Sequence, residues 1–94
     1  MTGKERAKLR RLANTIQPIF QIGKGGIGAA MLEQLGMALD ARELIKITVL
    51  ETADLSAREA CDVLCKALEA EPIQCIGRKI TIYRRNPDSP KIEL

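Results

Sequence analysis

Pro18-Ile19-Phe20-Gln21-Ile22-Gly23-Lys24-Gly25-Gly26 opens as an apolar run and closes on a cluster of glycines. Behind it, Ile27, Met31, Leu35 and Ala38 recur at helical spacing, so the stretch reads as strand, glycine turn, helix over Ile19 to Leu39. Such a turn lets backbone N–H groups approach an anion closely. The helix N-terminus behind it adds roughly half a positive charge. Lys24 stands at the tip, where an ammonium completes a phosphate cradle.

The segments on either side of the turn complete the order. Upstream, Lys4 to Thr15 reads as a helix with Leu9, Leu12, Ala13 and Ile16 on one stripe and Lys4, Lys8 and Arg11 on another face. Pro18 closes that segment, because a residue before proline is pushed out of the α region. Downstream, Leu44-Ile45-Lys46-Ile47-Thr48-Val49-Leu50 is a β-branched, nearly continuous strand, as expected of a central one. Ser56-Ala57-Arg58-Glu59 fits a capping box and starts a third helix that ends near Ala70. Ile73 to Ile76 and Lys79 to Tyr83 are strands joined by Gly77-Arg78, a hairpin signal. The order α-β-α-β-α-β-β predicts an α/β fold, a four-stranded mixed sheet packed with three helices. Residues 1–85 form the expected domain and residues 86–94 a polar, loose tail.

A chain of 94 residues is long enough for one core but short for a catalytic domain with a full cofactor cleft. No apolar run approaches the ~20 residues that span a bilayer, and the charged N-terminus has no secretory h-region. Three cysteines, with no histidine, suggest neither a disulfide framework nor a metal site. Cys61 and Cys65 lie on the apolar stripe with Leu64 and Leu68, as small core residues of a cytoplasmic protein do.

Net charge is only +3, but it is unevenly laid out. Lys4, Arg6, Lys8, Arg10 and Arg11 face Glu5 alone in the first helix. Arg78, Lys79, Arg84, Arg85 and Lys91 outnumber Asp88 and Glu93 after residue 71. Between them, Glu51, Asp54, Glu59, Asp62, Glu69 and Glu71 outnumber Arg58 and Lys66. A molecule with two basic ends and one acidic helix points to a polyanion partner more strongly than its sum does.

The glycine turn admits three readings. In the first, glycines simply permit a tight turn. In the second, Gly23, Gly25 and Gly28 satisfy the dinucleotide fingerprint G-x-G-x-x-G, with Glu51 ending the next strand. Chain length and the unused basic ends oppose that reading, and no Walker A motif is present. In the third, Gly23 and Gly26 define a G-x-x-G loop that clamps a nucleic-acid backbone. The loop joins a strand to a helix here, so the physics of a KH loop applies without the KH fold.

Several segments in one order then resemble a known family. They are the Pro18–Gly26 stretch, Ala38-Leu39, Arg42-Glu43-Leu44-Ile45-Lys46-Ile47, Ile73-Gln74-Cys75-Ile76-Gly77-Arg78-Lys79-Ile80 and Ile82-Tyr83-Arg84. Together they resemble the CRM domain (chloroplast RNA splicing and ribosome maturation) of the small stand-alone bacterial YhbY type. Gly28 departs from the pattern, where a Thr, Ser or Asn cap is expected; glycine still serves as an N-cap. The resemblance implies a fold similar to the C-terminal domain of bacterial translation initiation factor three. It also implies RNA binding on precursors of the large ribosomal subunit.

Only Phe20 and Tyr83 are aromatic, so no platform exists for stacking several bases. Phe20 is expected in the core, whereas Tyr83, beside Arg84-Arg85, suits either core or RNA. Recognition is expected to rest on phosphates and RNA shape. The expected contacts are Gly23, Lys24, Gly25 and Gly26, with Lys4, Lys8 and Arg11 from the first helix, Lys46 from the central strand, and Arg78, Lys79, Arg84 and Arg85 around the hairpin. A monomer with no cofactor, no metal, no membrane and no small-molecule substrate is expected, and no enzyme, since nothing pairs a base with an activated nucleophile. The competing reading is an adaptor whose acidic third helix, through Glu59 and Asp62, docks a basic ribosomal protein.

Overall fold

A nearly unbroken β-branched run suits a central strand, and Leu44–Val49 (β2) takes that place between two neighbours. The computed structural model describes residues 1–94. Its elements are α1 (Gly3–Ala13), β1 (Pro18–Ile22), α2 (Ala29–Arg42), β2, α3 (Ala57–Leu68), β3 (Glu71–Ile76) and β4 (Lys79–Tyr83). The sheet order is β1-β2-β4-β3, with β1 parallel to β2 and both other pairings antiparallel. The α/β architecture expected from the sequence is therefore the observed one, a mixed four-stranded sheet with three helices.

Two layers cover the sheet unequally. Ile45, Ile47 and Val49 of β2 join Ile80 and Ile82 of β4 and Ile22 of β1 on the face under α2 and α3. α3 contributes Ala57, Ala60, Cys61, Leu64 and Leu68, buried at helical spacing. Burying a leucine such as Leu64 contributes about 1.5–3 kcal/mol. The opposite face carries a smaller cluster, Leu9 of α1 with Leu44, Ile73 and Tyr83. Tyr83 is thus a core residue, only 4% exposed. Phe20 is half-buried and packs against the main cluster.

Both sheet edges are built alike. β1 begins at Pro18 and its register slips between Pro18 and Phe20; β3 holds Pro72 and slips between Pro72 and Gln74. Proline removes an edge N–H and a bulge twists the edge, so neither presents a clean row of backbone groups to another strand. At the hairpin, Gly77 at φ +60° supplies the left-handed corner that a two-residue turn needs.

Capping sets the helix limits. Ser56 and Glu59 form the capping box read from the sequence, and Thr2 with Glu5 forms a second one for α1. α2 begins one residue past Gly28, which caps it without a side-chain bond, and continues to Arg42, beyond the expected end. α3 stops at Leu68 because Glu69 adopts the left-handed conformation (φ 54°) and its N–H closes on the Cys65 carbonyl.

The tail expected to be loose is tied down. Glu43 is fully buried, and its carboxylate accepts the backbone N–H groups of Asn86 (2.6 Å), Lys91 (2.7 Å) and Ile92 (2.7 Å). Burial raises its proton affinity, but these bonds and the nearby Arg85 charge outweigh it and hold the carboxyl below the ordinary 4.5. Asn86 also donates its amide to the Asp40 carbonyl (2.9 Å), and Ile92 packs on the smaller cluster. A polar composition had signalled looseness, yet one buried carboxylate supplies the acceptors that the tail backbone needs.

Candidate nucleic-acid interface

Three loops meet at one end of the sheet, where β1 and β2 finish and the β3–β4 hairpin turns. Leu50 joins them. Its N–H donates to the Ile22 carbonyl (2.8 Å), and its carbonyl accepts a long bond from Arg78 (3.5 Å). Val49 donates to the Arg78 carbonyl (2.7 Å), and a Cβ added to Gly23 would rest against Leu50 and Thr52. The glycine loop, the residues after β2 and the hairpin therefore form one surface. This is the carboxyl end of the parallel pair, where open α/β sheets bind ligands.

Within that surface, Gly26 donates to the Gly23 carbonyl (3.0 Å) across Lys24 and Gly25. Gly26 sits at φ +71°, a conformation that a side chain strains by about 1 kcal/mol or more. Gly25 differs, since its φ is ordinary and nothing lies within 4 Å of a built Cβ. Nothing inside the protein requires glycine there. Lys24 is exposed, with neither a salt bridge nor a hydrogen bond to its ammonium. α2 starts immediately behind with no acidic residue in its first turn, so its orphan N–H groups stay open to an anion.

Arg78 and Lys79 border this end. Arg78 has one carboxylate partner, Glu51, at 3.9 Å and largely in solvent, a pairing worth little. Lys79 is exposed beside it. Lys46 lies farther in, half-buried, on the sheet face that also carries Leu44 and Thr48.

The remaining sequence candidates are placed elsewhere. α1 packs on Leu44, Ile73 and Tyr83, at the start of β2 and the end of β4, so Lys4, Lys8 and Arg11 lie at the opposite end of the sheet. There they surround the tail, with Lys8 donating to the Glu93 carbonyl and Lys4, Lys8 and Arg11 lining a hollow beside Leu94. Arg85 is exposed at that same end, close enough to Glu43 to act on its charge.

Arg84 is engaged within the protein. Its guanidinium donates to the carbonyls of Leu68 and Gly36 and to Asp40, each at 2.9 Å, and so staples α3 and α2 to the end of β4. Sequence clustering with Arg85 suggested an exposed pair, but Arg84 is drawn in by these three acceptors while Arg85 stays exposed. The acidic face of α3 is also smaller than its composition suggested. Glu59 is engaged by the Ser56 N–H (2.9 Å), leaving Asp62 exposed beside Arg58 and Lys66.

Catalytic or metal chemistry finds little material in these side chains. No three Cys, Asp or Glu side chains gather in a metal-holding cluster. The neighbouring Cys61 thiol, with burial, pushes the Cys65 thiol up, which keeps it a neutral thiol at pH 7. No helix is long and apolar enough to cross a membrane.

Residues 1–84 match the family model of the CRS1 / YhbY (CRM) domain. The chain belongs to the CRM family. The probable RNA-binding protein YqeI of Bacillus subtilis is 38% identical to this CRM domain over 94 residues, covering all of this chain and 98% of that protein. The probable RNA-binding protein MJ0652 of Methanocaldococcus jannaschii is 33% identical over 86 residues, covering 89% of this chain and 63% of its own length. In three dimensions, the hypothetical protein SAV1595 from Staphylococcus aureus, solved in solution, superposes with a TM-score of 0.81 at 45% identity. It covers all of this CRM domain, and 98% of its own chain is matched.

Proposed function

We propose that this CRM domain is a non-enzymatic, cytoplasmic RNA-binding protein that acts on ribosomal RNA in precursors of the large ribosomal subunit. The Gly23–Gly26 turn clamps the RNA backbone there. The observation that carries the reading is the unpaired Lys24 on a glycine turn whose Gly25 answers to nothing within the protein. Amides of the turn, the Lys24 ammonium and the neighbouring Arg78 and Lys79 supply charge and donors for phosphates. Lys46 extends that basic surface along the sheet. Membership of a family with RNA-binding relatives supports RNA as the polyanion, and the ribosomal target follows from the family resemblance.

The test is crosslinking in cells, followed by identification of the attached RNA, with Lys24→Ala as control. Large-subunit ribosomal RNA recovered with the parent chain and depleted with the variant is the expected result. Binding to structured ribosomal RNA that stays constant between low and moderate salt would remove the phosphate mechanism. Ribosome association lost on charge reversal at Glu59 and Asp62, with Lys24→Ala harmless, would instead favour the adaptor reading.

A further inference from the structure

The sheet face that α1 leaves open carries a pattern that phosphate binding does not use. Toward the glycine loop, one registered row, Gln21–Thr48–Lys79–Ile76, crosses all four strands. One row behind, Lys46 and Gln74 flank Thr81. Strand spacing makes the first row about 14 Å wide and the second about 10 Å, and sets the rows about 7 Å apart. Gln21, Lys79 and Ile76 are exposed, while Lys46, Thr48 and Gln74 are half-buried. The α1 contacts stay at the Leu44–Tyr83 end, and α2 and α3 pack on the other face.

Two lysines and no carboxylate suit a polyanion, but Gln21, Thr48 and Gln74 add nothing to charge. Each is both donor and acceptor, which matches a hydroxyl better than a phosphate. The ribose 2′-hydroxyl is donor and acceptor as well, and it is the group by which proteins distinguish RNA from DNA. Unpaired bases are most often stacked on exposed aromatic rings, and this face has none. Tyr83 is buried under α1, and Phe20 packs against the core of the opposite face. The A-form duplex offers a wide, shallow minor groove lined with 2′-hydroxyls, which a broad open sheet face can meet.

We propose that this open sheet face docks the minor groove of double-stranded RNA, with Lys46 and Lys79 on flanking phosphates and Gln21, Thr48 and Gln74 on 2′-hydroxyls. It rests on the RNA-binding reading above, in which the glycine turn holds the adjoining backbone. The row is the part of the surface that rejects DNA.

The experiment measures binding of the whole chain to an RNA duplex, the DNA duplex of the same sequence and one unpaired RNA strand. The RNA duplex is expected to bind best. Gln21→Ala with Thr48→Val lowers its affinity by roughly fivefold for each hydrogen bond lost, and leaves DNA affinity and the salt slope unchanged. Lys79→Ala weakens both duplexes and lowers the salt slope by about one. Valine keeps the β-branched shape at position 48; if the double variant fails to fold, Gln21→Ala at the exposed edge gives the same readout. Equal losses on RNA and DNA, or a preference for the unpaired strand, overturn the proposal. An unchanged RNA-to-DNA ratio with Lys24→Ala still harmful removes the sheet-face reading and leaves the clamp. A harmless Lys24→Ala removes the reading beneath it.

Discussion

The two ends of the sheet use similar residues for opposite purposes. At the Glu43 end, two charged groups are turned inward. A buried carboxylate gathers three tail amides, and Arg84 gathers two carbonyls and Asp40. At the glycine end, Lys24 has no partner, Lys79 is exposed, and Arg78 keeps one long contact in solvent. The first end spends its polar groups on holding helices, strands and tail together. The second leaves donors unsatisfied within the protein. Basic residues near a sheet are thus no guide to binding until their donors are accounted for.

The sharpest way to break this contrast is at Glu43. Glu43→Ala should cost about 3 kcal/mol in urea unfolding, because three amides lose a charged acceptor, and should leave salt-dependent RNA binding intact. The same residue predicts a pH dependence. Its folded value lies below the ordinary 4.5, so its stabilisation is complete above about that pH and drains away as pH falls through the folded value. Glu43→Gln should be less stable than the parent at pH 7, with the difference shrinking in unfolding curves taken toward pH 3.

Arg84→Ala comes next, with about 2 kcal/mol of stability lost as Leu68, Gly36 and Asp40 lose their donor. RNA affinity of the folded fraction should stay within about twofold. A large loss of affinity with normal stability would place Arg84 back on the binding surface. Lys24→Ala should do the reverse, keeping the melting temperature while RNA affinity drops by about tenfold and the salt slope falls by about one. The smallest effects sharpen the loop itself. Gly26→Ala should cost about 1 kcal/mol through its positive φ, whereas Gly25→Ala should leave stability unchanged and weaken RNA binding, as read by titration against the same RNA.

The sequence made the strands, the glycine turn and the Ser56–Glu59 cap legible, because each is decided by neighbours within a few residues. β2 declared itself by β-branching, and the hairpin by Gly77. What stayed hidden depends on chain brought from far away. Nothing local marks Glu43 as buried; its three donors lie more than 40 residues downstream. The docked tail and the true role of Arg84 were lost for the same reason. Lys4, Lys8 and Arg11 share a helical face as read, but only the crossing of α1 over the Leu44–Tyr83 end shows that the face lies away from the glycine turn. The two-to-one slips beside Pro18 and Pro72 are equally a matter of pairing, and composition cannot reveal them.

Those slips matter most when the protein is crowded. At high local concentration strand-by-strand accretion becomes the main hazard, and a clean edge would seed a fibre. With a proline and a kink at each border, the sheet has a built-in stop. Copies of the chain can therefore meet edge to edge without zipping into a continuous sheet.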